Sequence, residues 1–260
     1  MDQIFPTGKP HVSYSEIKSW KECPWRHKLS HIEKIDLSKP SEMLFFGKIV
    51  HAACEEYLKS RVMVSDIAIQ AIDDAWVNNG FEKADLWKLH ALNILNDIPA
   101  FLDETFPGWE CQSAEEMLYE NVESSDMKFK GFIDAIIKIP GKGGKTKYWI
   151  LDWKTSGPGG WHPEKQRDFL VQAQLALYKR FWAFKNDLKS ADVACGFVLL
   201  KKGAKPGKCC QLLEISAGPT IMERADKLFR DMITSVRKGI FIKNRTSCTY
   251  CEYKGTKYCT

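Results

Sequence analysis

Two stretches, 131–139 (GFIDAIIKI) and 148–156 (YWILDWKTS), alternate along the chain and are rich in Ile, Trp and Tyr. Between them lies PGKGGKTK, a loop of glycine and lysine. Period-two alternation on both sides of such a loop predicts two adjacent antiparallel strands. In the second strand Tyr148, Ile150, Asp152 and Lys154 share a face, because side chains two apart point the same way. Asp134 sits mid-strand on the partner. Charged groups converging on one sheet face are costly unless compensated, and a divalent cation held by the carboxylates would compensate them.

Upstream of the turn signal FPGWE the period is helical. Ser13, followed by Glu16, forms a capping box at the head of a first helix, which Pro24 should bend or end. Further helices are expected at about 43–60, 65–79 and 84–105; Ser65 caps the second, Asn79-Gly80 stops it, and Pro99 interrupts the third. Strands are expected at about 115–122, 128–139 and 147–155. After GPGG comes a strong helix, QRDFLVQAQLALYKRFWAF, then two strands, ACGFVLL and CCQLLEI, separated by the lysine-rich loop KKGAKPGK. The last helix, about 219–238, carries Ile221, Ala225, Leu228, Phe229, Met232, Ile233 and Val236 on one stripe and stops at Gly239. This order predicts an α/β fold with a mixed sheet and a helical N-terminal elaboration.

The 44% apolar content excludes a disordered chain. No run of about 18 apolar residues suggests a membrane span. The N-terminal MDQIFPTGKPHVSYSE lacks a basic region followed by an apolar core, so no secretory signal and a cytoplasmic location are expected, the host cytoplasm if the source is viral. In that compartment the nine cysteines should be reduced, and their odd number argues against a simple disulfide framework. The C-terminal stretch carries Arg237, Lys238, Lys243, Arg245, Lys254 and Lys257 against Glu252, which suits a polyanionic partner; a solvated basic tail is the plainer alternative.

Four motifs follow in order: G-x-x-x-H at Gly47 to His51, G-F-I-D ending at Asp134, D-W-K at Asp152 to Lys154, and Q-x-x-x-Y at Gln174 to Tyr178. Taken singly, each has an ordinary structural reading. Together and in sequence they resemble the PD-(D/E)xK nuclease superfamily, and within it the RecB-like branch that includes the AddB nuclease domain and the CRISPR-adaptation nucleases with an iron-sulfur cluster. The resemblance runs from Cys23 to Cys259, with 61–110 reading as a variable helical insertion. It departs from the commonest pattern at Asp152, where Glu is more frequent, and at Ile133, where the superfamily's name writes Pro.

The resemblance implies a restriction-endonuclease-like mixed central sheet flanked by helices. One nuclease domain would span 1–260: a helical part at 1–110, the core at 111–240, and an iron-sulfur-binding tail at 241–260 that pairs with Cys23. Asp134 and Asp152 would ligate Mg²⁺ or Mn²⁺, joined by His51, whose imidazole favours Mn²⁺. Lys154 would orient water or hold the scissile phosphate, and Gln174 and Tyr178, one helical turn apart, resemble a pair that positions nucleic acid. In the tail, Cys248, Cys251 and Cys259 form C-x₂-C-x₇-C, and such an array needs a fourth thiolate. By resemblance Cys23 provides it for a [4Fe-4S] cluster; zinc is the rival occupant, and Cys209-Cys210 the rival ligand source. Cys54, Cys111 and Cys195 read as buried thiols.

The implied activity is a metal-dependent DNA nuclease, an exonuclease on single strands or ends in recombination, repair or CRISPR-type adaptation, with a recombination, helicase or integrase partner left open. The alternatives are a non-catalytic nucleic-acid-binding module with a structural iron-sulfur or zinc site and, third, a redox or transcription regulator built on the cysteines.

Overall fold

The computed structural model describes residues 5–260 apart from 124. In chain order the elements are β1 (His11–Ser13), α1 (Tyr14–Glu22), α2 (Pro24–His27), a π-helical turn (Lys28–Ile32), α3 (Glu42–Ser60), α4 (Ser65–Asn79) and α5 (Ala84–Thr105). Then come β2 (Glu110–Asn121), β3 (Lys128–Pro140), β4 (Thr146–Ser156), α6 (Pro163–Arg167), α7 (Phe169–Lys185), β5 (Val193–Lys201), β6 (Cys210–Glu214) and α8 (Pro219–Arg237). The described residues contain no helix long and apolar enough to cross a membrane.

The strands form a six-stranded mixed sheet in the order β1-β3-β4-β5-β6, with β2 also paired to β3. Helices flank it, as the α/β expectation required. β3 and β4 are antiparallel, with Ala135 opposite Leu151 and Ile137 opposite Trp149. β4 and β5 are parallel, with Asp152 opposite Phe197 and Lys154 opposite Leu199. Parallel neighbours need a crossover, and α6 and α7 provide it. An antiparallel β6 closes that edge.

The chain forms two compact units, each assembled from separated segments: 1–39, 117–131 and 219–260 in one, 40–116 and 132–218 in the other. In the first, β1 runs parallel to residues 128–130 of β3. Its long α8 buries Ala225, Leu228, Phe229, Met232, Ile233 and Val236, the stripe expected from the sequence without Ile221. In the second, α3, α4 and α5 cover the sheet face that presents Ala135, Ile137, Leu151, Trp153, Val198 and Leu200. The alternating residues of β4, Ile150, Asp152 and Lys154, therefore lie on the other face, where α7 packs.

Several local expectations are corrected. α5 runs unbroken through Pro99, although proline removes one helical hydrogen bond. Complete burial of Ile94, Leu95, Ile98 and Leu102 along that helix outweighs the loss. Ser13 does cap α1, accepting from the Glu16 N–H at 3.3 Å. The Glu16 carboxylate points elsewhere, pairing with His27 Nε2 at 3.1 Å in the interior, so the capping box is half made. Ser65 is the first residue of α4 and makes no cap; Gly80, with φ of 64°, ends that helix as expected. Asp168, which the sequence placed inside a helix, instead caps α7 by accepting from the Leu170 N–H at 2.8 Å.

Candidate active site

The β3/β4 register places the two aspartates side by side, since Asp134 and Asp152 each lie one residue beyond the Ala135–Leu151 pair. Asp152 is 2% exposed. Its Oδ1 accepts from Gln174 Nε2 at 2.7 Å, and the same amide donates to the Tyr178 hydroxyl at 3.3 Å. The Lys154 ammonium donates to Asp152 Oδ2 in a direct ion pair, so both oxygens of this buried carboxylate are held. Asp134 Oδ2 accepts from the Trp153 backbone N–H at 2.7 Å. His51, on α3, brings Nδ1 to 3.7 Å from the same oxygen. The structure thus gathers His51, Asp134, Asp152, Lys154, Gln174 and Tyr178 within one unit, from α3, β3, β4 and α7.

Electrostatics in this cluster follow from burial and like charge. Burial, then the neighbouring Asp152, pushes the Asp134 carboxyl well above its ordinary value. Burial likewise raises Asp152, against the opposing pull of Lys154. Desolvation works against the Lys154 charge, but Asp152 and Asp134 hold its ammonium above the usual lysine value. His51 falls to about 4, first from burial and then from Lys154, so its imidazole is neutral near pH 7. Burial and Asp152 raise the Tyr178 hydroxyl, which therefore stays protonated.

One acidic neighbour was missed in the sequence. Glu115, in β2, has φ of 51°, a left-handed conformation that non-glycine residues seldom adopt. Burial raises its carboxyl, with Glu55 and Asp152 adding to the effect, and Glu115 in turn raises Asp134. The available signal was the doublet Glu115-Glu116, which breaks alternation in the strand.

The cysteines expected to act together also converge, within the other unit. Cys23, Cys248, Cys251 and Cys259 line one cavity of about 410 Å³, and all four are free. Its walls are tied by Trp25 Nε1 donating to the Tyr258 carbonyl at 3.1 Å, Asn244 Nδ2 donating to the Glu22 carbonyl at 2.8 Å, and an Arg26–Glu252 ion pair at 3.0 Å. Cys209 and Cys210 belong to the helical core and β6 of the second unit. Among the described residues, no set of three or more His, Cys, Asp or Glu side chains stands ready around a common point for a metal ion.

A family model for the PD-(D/E)XK nuclease superfamily matches residues 11–256. The chain belongs to the PD-(D/E)XK nuclease superfamily. Among solved structures, a putative exonuclease from Eubacterium rectale superposes with a TM-score of 0.60 at 14% identity, over 94% of this chain and 88% of that one. That likeness is one of fold. A second, SSO0001, gives 0.37 at 17% identity, over 92% of this chain and 93% of that one, too loose to carry an argument. No curated protein matches.

PD-(D/E)XK nucleases act on nucleic acid and typically use divalent metals such as Mg²⁺ or Mn²⁺. The residues here fit such an ion. Two adjacent buried carboxylates have raised proton affinities, and a neutral imidazole stands beside them. A cation offsets what burial and mutual repulsion cost that set.

Proposed function

We propose that this chain is a metal-dependent deoxyribonuclease of the RecB-like branch, an exonuclease working on single strands or free ends in recombination, repair or CRISPR-type adaptation. The observation that carries the reading is the state of Asp152: buried beside Asp134, fixed through Oδ1 by Gln174 and paired through Oδ2 with the Lys154 ammonium. Such a carboxylate is oriented for a ligand. Asp134, Asp152 and His51 would hold Mg²⁺ or Mn²⁺, which supplies Lewis-acid charge that acidifies water and neutralises the phosphate.

The protein's own groups do the rest. Gln174 fixes the rotamer of Asp152, Tyr178 braces Gln174, and the Trp153 N–H holds Asp134 in place. Lys154 stays charged beside these carboxylates, so it can hold a phosphate oxygen or orient water for attack. Asp152→Ala tests the assignment. With Mn²⁺ and single-stranded DNA the folded variant should lose at least about 10³-fold in rate, because a ligand and an oriented charge are both gone. Hydrolysis at the parental rate would remove Asp152 from the site.

The four cysteines support a [4Fe-4S] cluster that joins Cys23 to the tail, as in the branch this chain resembles. Their shared cavity and free thiols favour it, and zinc is the alternative occupant. Anaerobically purified protein should be coloured and carry about four iron atoms per chain if a [4Fe-4S] cluster is bound. A colourless sample holding one zinc would overturn the cluster.

A further inference from the structure

The lysine-rich segment after β5 is absorbed by none of these roles. Lys201, Lys202, Lys205 and Lys208 fall within eight residues, and Lys205 and Lys208 are exposed. Its position follows from the register. Lys201 pairs with Ser156, two residues past Lys154 on the neighbouring strand, and the Lys202 N–H donates to the Ser156 carbonyl at 3.0 Å. With about 3.3 Å per residue along a strand and about 4.8 Å between strands, the loop starts within about 10 Å of Lys154. Lys201 shares the sheet face of Asp152 and Lys154, and from Lys202 onward the loop turns past the strand ends onto α5.

A solvated charge run would be loosely held, and this one is not. Asp97 on α5 accepts from the Gly207 N–H through Oδ1 and from the Cys209 N–H through Oδ2, both at 2.8 Å. Turns close at Ala204 N to Lys201 O, 3.3 Å, and Lys208 N to Lys205 O, 3.0 Å. Lys202 lies over the Trp87 ring at 4.4 Å, and burial lowers its proton affinity. That lysine anchors the base of the loop. Lys205 and Lys208 project from a frame whose backbone is already ordered, so binding an anion through them costs little further entropy.

We infer that this loop is a phosphate rail: it grips the backbone of the nucleic-acid strand being cut, a few nucleotides from the scissile bond, through Lys205 and Lys208, with Asp97 as the positioning residue that keeps it rigid. The inference rests on the nuclease reading. Each nucleotide of a stacked strand advances about 3.4 Å along the axis, so a loop starting within about 10 Å of Lys154 lies within a few nucleotides of the site. Contacts of this kind hold substrate without reading its sequence.

Two phosphate contacts on a single strand contribute about 1.4 to the slope of log affinity against log salt. The K205A/K208A variant should therefore lose about that much slope on single-stranded DNA, and its KM should rise about tenfold at moderate salt with kcat held within about twofold. The K205R/K208R variant should restore both. D97N should give an intermediate KM, because one carboxylate oxygen becomes an amide donor facing a backbone N–H. Bis(p-nitrophenyl) phosphate is too small to reach the loop, so K205A/K208A should hydrolyse it at the parental rate. An unchanged slope and KM on DNA, in protein that hydrolyses DNA normally, would overturn the rail and leave the nuclease reading intact. Wild-type protein that hydrolyses neither substrate overturns the nuclease reading itself, and the rail with it.

Discussion

Gln174 Nε2 donates to Asp152 Oδ1 at 2.7 Å, so helix α7 sets the orientation of a carboxylate on β4. A donor that fixes a ligating carboxylate typically contributes 10- to 100-fold in metal affinity or activity. Gln174→Ala should therefore cut the rate about 10- to 100-fold and weaken Mn²⁺ activation, while thermal stability stays within a few degrees. The metal titration decides it. A drop in rate with unchanged Mn²⁺ dependence would mean that Gln174 acts on the nucleic acid and not on Asp152.

Pro99 gives a stability test in the opposite direction. In α5 it sits among buried neighbours and leaves the Leu95 carbonyl without its helical N–H partner. Pro99→Ala restores that donor and should stabilise the protein by about 1–3 kcal/mol, read as a higher urea midpoint at unchanged m. A lower midpoint would show that α5 depends on the proline's shape.

His31 should make stability acid-sensitive. It stacks on His27 with ring centroids 4.9 Å apart, and burial, the largest cause, lowers it to about 4 from an ordinary 6.5. In the unfolded chain it takes a proton as pH falls through about 6.5, whereas in the folded chain it waits until about 4. The unfolded state thus binds more protons inside that window, and stability is full above it and declines as pH falls across it. Urea midpoints between pH 7 and pH 4.5 should show this decline, and His31→Phe should flatten it. An equally steep decline in His31→Phe assigns the acid sensitivity elsewhere.

Glu115 offers an electrostatic test. Its charge raises the Asp134 carboxyl, so Glu115→Gln removes a repulsion and lets Asp134 ionise at lower pH. The acid limb of the rate profile should move to lower pH. A large fall in Mn²⁺ affinity, with the acid limb unmoved, would instead make Glu115 a ligand.

How much of this was legible in the sequence depends on whether a residue's partners lie nearby in the chain. Alternation exposed β3 and β4 because each residue's face is fixed by its two neighbours, and it put Asp152 and Lys154 on one face before any contact was known. Gln174 and Tyr178 were paired by one turn of helix, but the acceptor of the Gln174 amide, 22 residues away, was not visible. Glu16 shows the limit from the other side. Local spacing assigned its carboxylate to the Ser13 backbone, and tertiary packing gave it to His27. Pro99 misled for the same reason, since the burial that holds α5 together belongs to the assembled core and not to the local sequence.

The first compact unit draws on residues 1–39 and on 219–260, with about 180 residues between them. At roughly 5–20 residues per second of synthesis, the early segment waits on the order of 10–40 s before its last partners leave the ribosome. Through that interval Cys23 and Trp25 lack their Asn244 and Tyr258 partners. The unit therefore matures only after synthesis of its last helix and tail, and its four cysteines can act together only from then on.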